Sequence, residues 1–173
     1  LIVVLFLSLG CFAQGEANIW YFGSHAGLDF NSGSPVALTD GQLVTEEGCA
    51  TISNSSGQLL FYTDGITVYN RNHQVMPNGT GLLGDSSSTQ SAIIVPKPNS
   101  STIYYIFTTP AVGNPLIGAR FSEVDISLKG GLGNVTLNKN ILLNTPSCEK
   151  ITAVRNSNND GYWVVNQIAG GST

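Results

Sequence analysis

The chain has 173 residues, of which 10% are charged, with 20 Gly and a formal net charge of −4. Seven Lys plus Arg against eleven Asp plus Glu, with no basic cluster, exclude the electrostatic footprint that nucleic-acid binding requires. Few strong helix formers and many turn residues make all-β the expected class, in a chain long enough for one ordinary domain.

Residues 1–14 read as part of a signal peptide. The run Leu1-Ile2-Val3-Val4-Leu5-Phe6-Leu7 is apolar but, even extended to Gly10, falls short of the roughly 20 residues that span a bilayer. Cys11-Phe12-Ala13 then offers small residues at the −3 and −1 positions of a cleavage site near Ala13 or Gln14. A buried strand and a lipidated Cys11 are the alternatives. The expectation is a secreted or cell-surface protein with no transmembrane span. No Met and no positive charge precede Leu1, and the chain stops at Thr173 soon after a strand-like run, so both ends read as cut.

Short strands bounded by turn chemistry follow in order: 18–22, 28–30, 35–38, 49–52, 59–63, 67–70, 74–76, 92–95, 103–108, 119–126, 140–143, 151–154 and 162–167. No segment keeps an apolar spacing of three and four, so no long helix is expected. Asn54-Ser55-Ser56-Gly57, Pro96-Lys97-Pro98-Asn99-Ser100-Ser101 and Asn158-Asn159-Asp160-Gly161 are turns, through positive φ, side-chain hydrogen bonds or fixed proline geometry. Lys129-Gly130-Gly131-Leu132-Gly133-Asn134 reads as a flexible hairpin tip.

The strands repeat. Ile19-Trp20-Tyr21-Phe22 answers to Leu59-Leu60-Phe61-Tyr62 forty residues on, and Phe30-Asn31 answers to Tyr69-Asn70. Ala50-Thr51-Ile52, Ala92-Ile93-Ile94 and Thr152-Ala153-Val154 align as opening strands, each followed by a turn and an aromatic or apolar run. A period of this size is that of a four-stranded propeller blade, which cannot bury its apolar face alone. The expected fold is a partial β-propeller of four-stranded antiparallel blades, truncated. Residues 15–173 would divide into a partial blade at 15–40, a blade at 41–85, a blade with an insertion at 86–145, and a partial blade at 146–173. The first unit lacks an opening strand, so the remaining blades of the same chain are expected partners. The aromatic runs Trp20-Tyr21-Phe22, Phe61-Tyr62, Tyr104-Tyr105 and Tyr162-Trp163 are expected to pack between blades.

Little chemistry is concentrated anywhere. His25 and His73 are solitary, without neighbours at metal-ligand spacing, so no metal or cofactor is expected. Cys49 and Cys148 permit one disulfide in an exported protein, but lie two repeats apart, and free cysteines packed as small apolar groups are the alternative. The candidate binding residues are Glu47, Asp64, Gln90 and Glu149. Glu46-Glu47 and Glu149 each precede an opening strand, the strand that lines a propeller channel, while an Asp-Gly hairpin turn accounts for Asp64 by itself. No nucleophile or metal cluster marks a catalytic site.

Asn18-Ile19-Trp20-Tyr21-Phe22-Gly23, Glu47-Gly48-Cys49-Ala50-Thr51-Ile52-Ser53, Leu60-Phe61-Tyr62-Thr63-Asp64-Gly65, Asn70-Arg71-Asn72-His73 and Ser88-Thr89-Gln90-Ser91-Ala92 carry a resemblance. So does Glu149-Lys150-Ile151-Thr152-Ala153-Val154. Over nearly all of its mature length the chain is similar to the amino-terminal, β-propeller-like region of large secreted Bacteroidota surface proteins. These often bear immunoglobulin-like PKD modules and are associated with type IX secretion, gliding motility and adhesion. Ser53–Gly57 and Ser157–Gly161 also resemble the Ser-x-Asp-x-Gly turn of sialidase propellers, with Ser55 and Asn159 at the acidic position. The resemblance implies no catalytic residue. The expected function is a noncatalytic module binding an extracellular protein or glycan. The alternatives are a propeller hydrolase acting on extracellular polysaccharide and a structural spacer.

Overall fold

A computed structural model describes residues 15–170, so the signal-peptide reading of residues 1–14 lies outside the described residues. Among the described residues, fourteen strands form four sheets in chain order. The first sheet holds β1 (Ile19–Tyr21), β2 (Gly27–Asp29) and β3 (Val36–Leu38). The second holds β4 (Ala50–Ser53), β5 (Leu59–Thr63), β6 (Thr67–Asn70) and β7 (Val75–Thr80). In the third, β8 (Ala92–Pro96), β9 (Ile103–Thr108), β10 (Ala119–Asp125) and β11 (Asn134–Val135) are neighbours in that order, and β12 (Ile141–Asn144) also pairs with β10. The fourth holds β13 (Ser147–Arg155) and β14 (Tyr162–Ile168). All pairings are antiparallel, so the chain is all-β.

One side-chain device shapes three of the connections. The Oδ1 atoms of Asn54 and Asn70 each accept the backbone N–H groups two and four residues on, and Asn156 Oδ1 accepts those of Asp160 and Gly161. An amide side chain thereby replaces the backbone partner that a tight turn leaves missing. At the β5–β6 turn, Asp64 Oδ1 accepts from Ile66 and Thr67 N–H, and Gly65 takes a φ of +87°. A Cβ there would also stand 2.2 Å from Ser91 Oγ, so only glycine fits.

Successive sheets pack face against face. β4 contacts β1 on one side and β8 on the other, and β8 contacts β13. Between the second and third sheets, Phe61, Val68 and Met76 meet Ile106, Val124 and Val135 in one buried cluster. Between the first and second, Tyr21 and Leu43 meet Tyr62. Strand alternation sends Tyr62 back to the first sheet and Phe61 forward to the third.

Two expectations change. Ala50 and Ala92, aligned as equivalent opening residues, both point into the core between the second and third sheets. The third unit is therefore offset by one residue from that alignment, because a one-residue step in a strand reverses the face. The 129–134 stretch lies in the connection between antiparallel β10 and β11, where a hairpin tip is expected. Lys129 and Gly130 do adopt positive φ, but Val135 of β11 is fully buried, and Gly133 lies against the Met76 side chain. The aromatic runs are only partly internal. Tyr21, Phe61 and Tyr62 are buried, whereas Trp20 is 49% exposed and Trp163 68% exposed, because each of these tryptophans lies on the outward face of an end sheet. Cys49 and Cys148 are free thiols, in keeping with their separation by two repeats.

Candidate functional site

Three of the four residues expected to bind a ligand have polar atoms committed to the fold. Glu149 is buried, and its Oε2 accepts the Thr89 hydroxyl at 2.5 Å and the Thr89 N–H at 3.0 Å, while Oε1 accepts the Val112 N–H at 2.7 Å. The Thr89 hydroxyl first, then the two backbone N–H groups, hold this carboxyl below the usual glutamate range. Gln90 Oε1 accepts the Ile151 N–H, and Asp64 is the turn acceptor described above. These contacts tie β13 and the loop after β9 to the segment that leads into β8. Glu47 is exposed, while Gly48 beside it donates its N–H to the Ser88 carbonyl of that same segment.

A second constellation joins residues that sequence spacing left separate. Tyr21 donates its hydroxyl to Asp40 Oδ1 at 2.7 Å, and His73 Nε2 lies 3.3 Å from Asp40 Oδ2. His73 Nδ1 is 3.1 Å from the Tyr62 hydroxyl, which accepts the Gln42 N–H. A carboxylate beside Nε2 requires the proton there, so in the neutral ring Nδ1 accepts from Tyr62 O–H. The arrangement is Tyr62 to His73 to Asp40, the order of a nucleophile, base and orienting acid. Yet Tyr62 is fully buried, with its ring stacked between Tyr21 and Tyr69 at centroid distances of 4.7 and 5.3 Å. Burial pushes its hydroxyl up to about 12, the opposite of nucleophile activation. Burial and the Asp40 hydrogen bond likewise push Tyr21 up, and the Tyr21 hydroxyl holds Asp40 below its usual range. The network is a structural clasp between the first two sheets.

Removing the Tyr62 hydroxyl tests that role. Tyr62→Phe is expected to destabilise the chain by about 1–2 kcal/mol, because it strands the Gln42 N–H and the His73 acceptor. Urea denaturation reads the loss, and ¹⁵N chemical shifts of His73 in the parent protein should report the Nε2–H tautomer.

Among the surface clefts of the described residues, two differ sharply in character. One of about 180 Å³ lies between the turns of the third and fourth sheets and is lined by residues including Lys97, Asn99, Arg155, Asp160 and Tyr162. There Arg155 donates to the Tyr162 hydroxyl at 3.0 Å, and Lys97 pairs with Glu123 at 3.2 Å. The other, of about 240 Å³, is wholly apolar and lined by Tyr105, Phe107, Phe121 and Leu143. Among the described residues, no group of three or more His, Cys, Asp or Glu is placed to hold a metal ion, and no helix is long and apolar enough to cross a membrane. No family model, curated protein or solved structure matches the chain. Sequence spacing missed Asp40, Tyr21 and Tyr62 because the first two come from the first sheet and the loop after it, whereas Tyr62 and His73 come from the second.

Proposed function

We propose that the chain is a noncatalytic β-propeller module of an exported protein, serving to bind an extracellular protein or glycan. The observation that carries the noncatalytic reading is the state of Glu149. Both its oxygens accept hydrogen bonds from Thr89 or Val112, so the most deeply placed carboxylate of the candidate set is held as a brace. The propeller reading is supported by the succession of antiparallel sheets in which β4, β8 and β13 run beside one another, as opening strands around an axis would.

The polar cleft between the two turns is the best-equipped contact surface. A Tyr162 ring beside Arg155, Asn99 and Asp160 offers an apolar platform with donors and acceptors around it, the mixture that orients polar ligands. Screening the purified protein against glycans, matrix proteins and polysaccharide substrates should give binding without turnover. Tyr162→Ala should weaken the captured ligand at least tenfold, or about 1.4 kcal/mol. Turnover abolished by Glu47→Gln would overturn the noncatalytic reading.

A further inference from the structure

We propose that the polar cleft between the turns of the third and fourth sheets, on its reading above as the contact surface, takes a uronate: one carboxylate-bearing sugar unit of an acidic polysaccharide.

Two stiff turns build the cleft. In the β8–β9 turn, Ser100 Oγ accepts the N–H groups of Thr102 and Ile103, and Ser100 N–H donates to the Lys97 carbonyl. In the β13–β14 turn, Asn156 Oδ1 accepts the N–H groups of Asp160 and Gly161, and Asn156 N–H donates to the Gly161 carbonyl. The turns close on one another at Gly161, where a Cβ would lie 3.9 Å from Pro98 Cγ. The walls are thus set before a ligand arrives, which lowers the cost of binding. At about 180 Å³ the cleft is smaller than the roughly 300–1,000 Å³ of sites for drug-sized molecules, so it admits one small unit.

Two of the three charged groups in the lining are engaged. Lys97 pairs with Glu123 at 3.2 Å, and Asp160 Oδ1 accepts the Asn156 amide at 2.6 Å. Arg155 differs. Its guanidinium lies 5.5 Å from the Tyr162 ring centre and donates one N–H to the Tyr162 hydroxyl at 3.0 Å. Among the described residues, no carboxylate stands within ion-pair distance of it. A guanidinium held at one corner keeps its other donors for a second acceptor, and a carboxylate matches that fork with two parallel hydrogen bonds. The chain's net charge of −4 opposes any general attraction for polyanions, so capture has to come from this local cation.

The rest of the lining suits a sugar. The Tyr162 ring, Pro96 and Pro98 present apolar surface, and the exposed residues Asn99 and Asn159, at φ of +60° and +57°, bring amides from the two turn tips. Such amides donate to or accept from hydroxyls. A ring face, hydroxyls and a carboxylate occur together in a uronate, whereas the acidic side chain of a peptide carries only the last.

Isothermal titration calorimetry of the purified protein tests this with oligomers of galacturonate, glucuronate and mannuronate, with their methyl esters, and with poly-glutamate. At least one uronate oligomer should bind at least tenfold more tightly than its ester and than poly-glutamate. Arg155→Gln should weaken that oligomer at least tenfold, leaving the ester and the far-UV circular dichroism unchanged. Asn99→Gly, which keeps the positive φ and removes the amide, should weaken acid and ester alike by about threefold. Equal affinity for acid and ester, or an acid affinity untouched by Arg155→Gln, overturns the uronate assignment. The binding reading survives that result if Tyr162→Ala still weakens the captured sugar. Tighter binding of poly-glutamate gives the carboxylate to a peptide and overturns the assignment too. Binding of none of these probes also overturns it, and the wider screen of glycans and matrix proteins then decides the binding reading separately.

Discussion

Phe61→Ala should cost about 3–5 kcal/mol of stability, the range for deleting a buried aromatic side chain. Phe61 is fully buried on β5, at the centre of the cluster that joins the second and third sheets, and its ring meets that of Tyr104 edge-on at 5.6 Å. Its neighbours cannot collapse into the gap easily, because Val68, Ile106, Val124 and Val135 are themselves fully buried on paired strands. Against a total of roughly 5–15 kcal/mol for a native domain, this is a large share. It corresponds to a fall in melting temperature of about 6–20 °C for a chain of this size. Tyr105→Ala is the control. Tyr105 lies on the half-open face of the third sheet beside Phe107 and Phe121, so its removal leaves a widened cleft that water can enter. Thermal melts should place Tyr105→Ala well above Phe61→Ala. Equal losses would mean that the inter-sheet core does not hold the chain together.

The second large effect is on acid stability. A carboxyl held below its ordinary pKa in the folded state contributes stability that is fully present above the unfolded value, about 4.3 for Glu. That contribution is lost as pH falls through the folded value. Glu149 is such a group, held down by the Thr89 hydroxyl and by the N–H groups of Thr89 and Val112. Glu149→Gln replaces one acceptor oxygen with a donor that faces donors, and should cost about 1–3 kcal/mol at neutral pH. The cost stays below that of a fully enclosed pair because Val112 is 73% exposed and water can reach its freed N–H. Below about pH 4.3 the parent should lose stability more steeply than the variant, so the two denaturation curves converge in acid. Asp40 is also held low, by Tyr21 and His73, and leaves the variant a residual acid slope. Parallel curves across that range would remove Glu149 from the account.

Much of the secondary structure was legible because its signals are local. Leu59–Thr63 and Ile103–Thr108 are bounded by turn residues and rich in β-branched or aromatic side chains, and the strands fall there to the residue. Asp64-Gly65 announced its turn for the same reason. Val135 was illegible: two residues among glycines carry no period, and β11 exists because Val135 fills the space beside Met76 and Val124. The binding candidates were equally hard to judge. Glu149 and Glu47 look alike before an opening strand, and only the loops carrying Thr89 and Val112 distinguish them.

The sequence by itself determined that the chain is all-β, that its turns lie where Asn, Asp and Gly cluster, and that it repeats about every 40 residues. These follow from backbone preferences acting over a few residues. Only the tertiary structure decided which face of each strand is buried and which carboxylate is consumed as a brace. It alone brought Tyr21, Tyr62, His73 and Asp40 together. Those outcomes depend on contacts between sheets, where a shift of one residue reverses a strand's faces and partners up to 61 positions apart supply the hydrogen bonds.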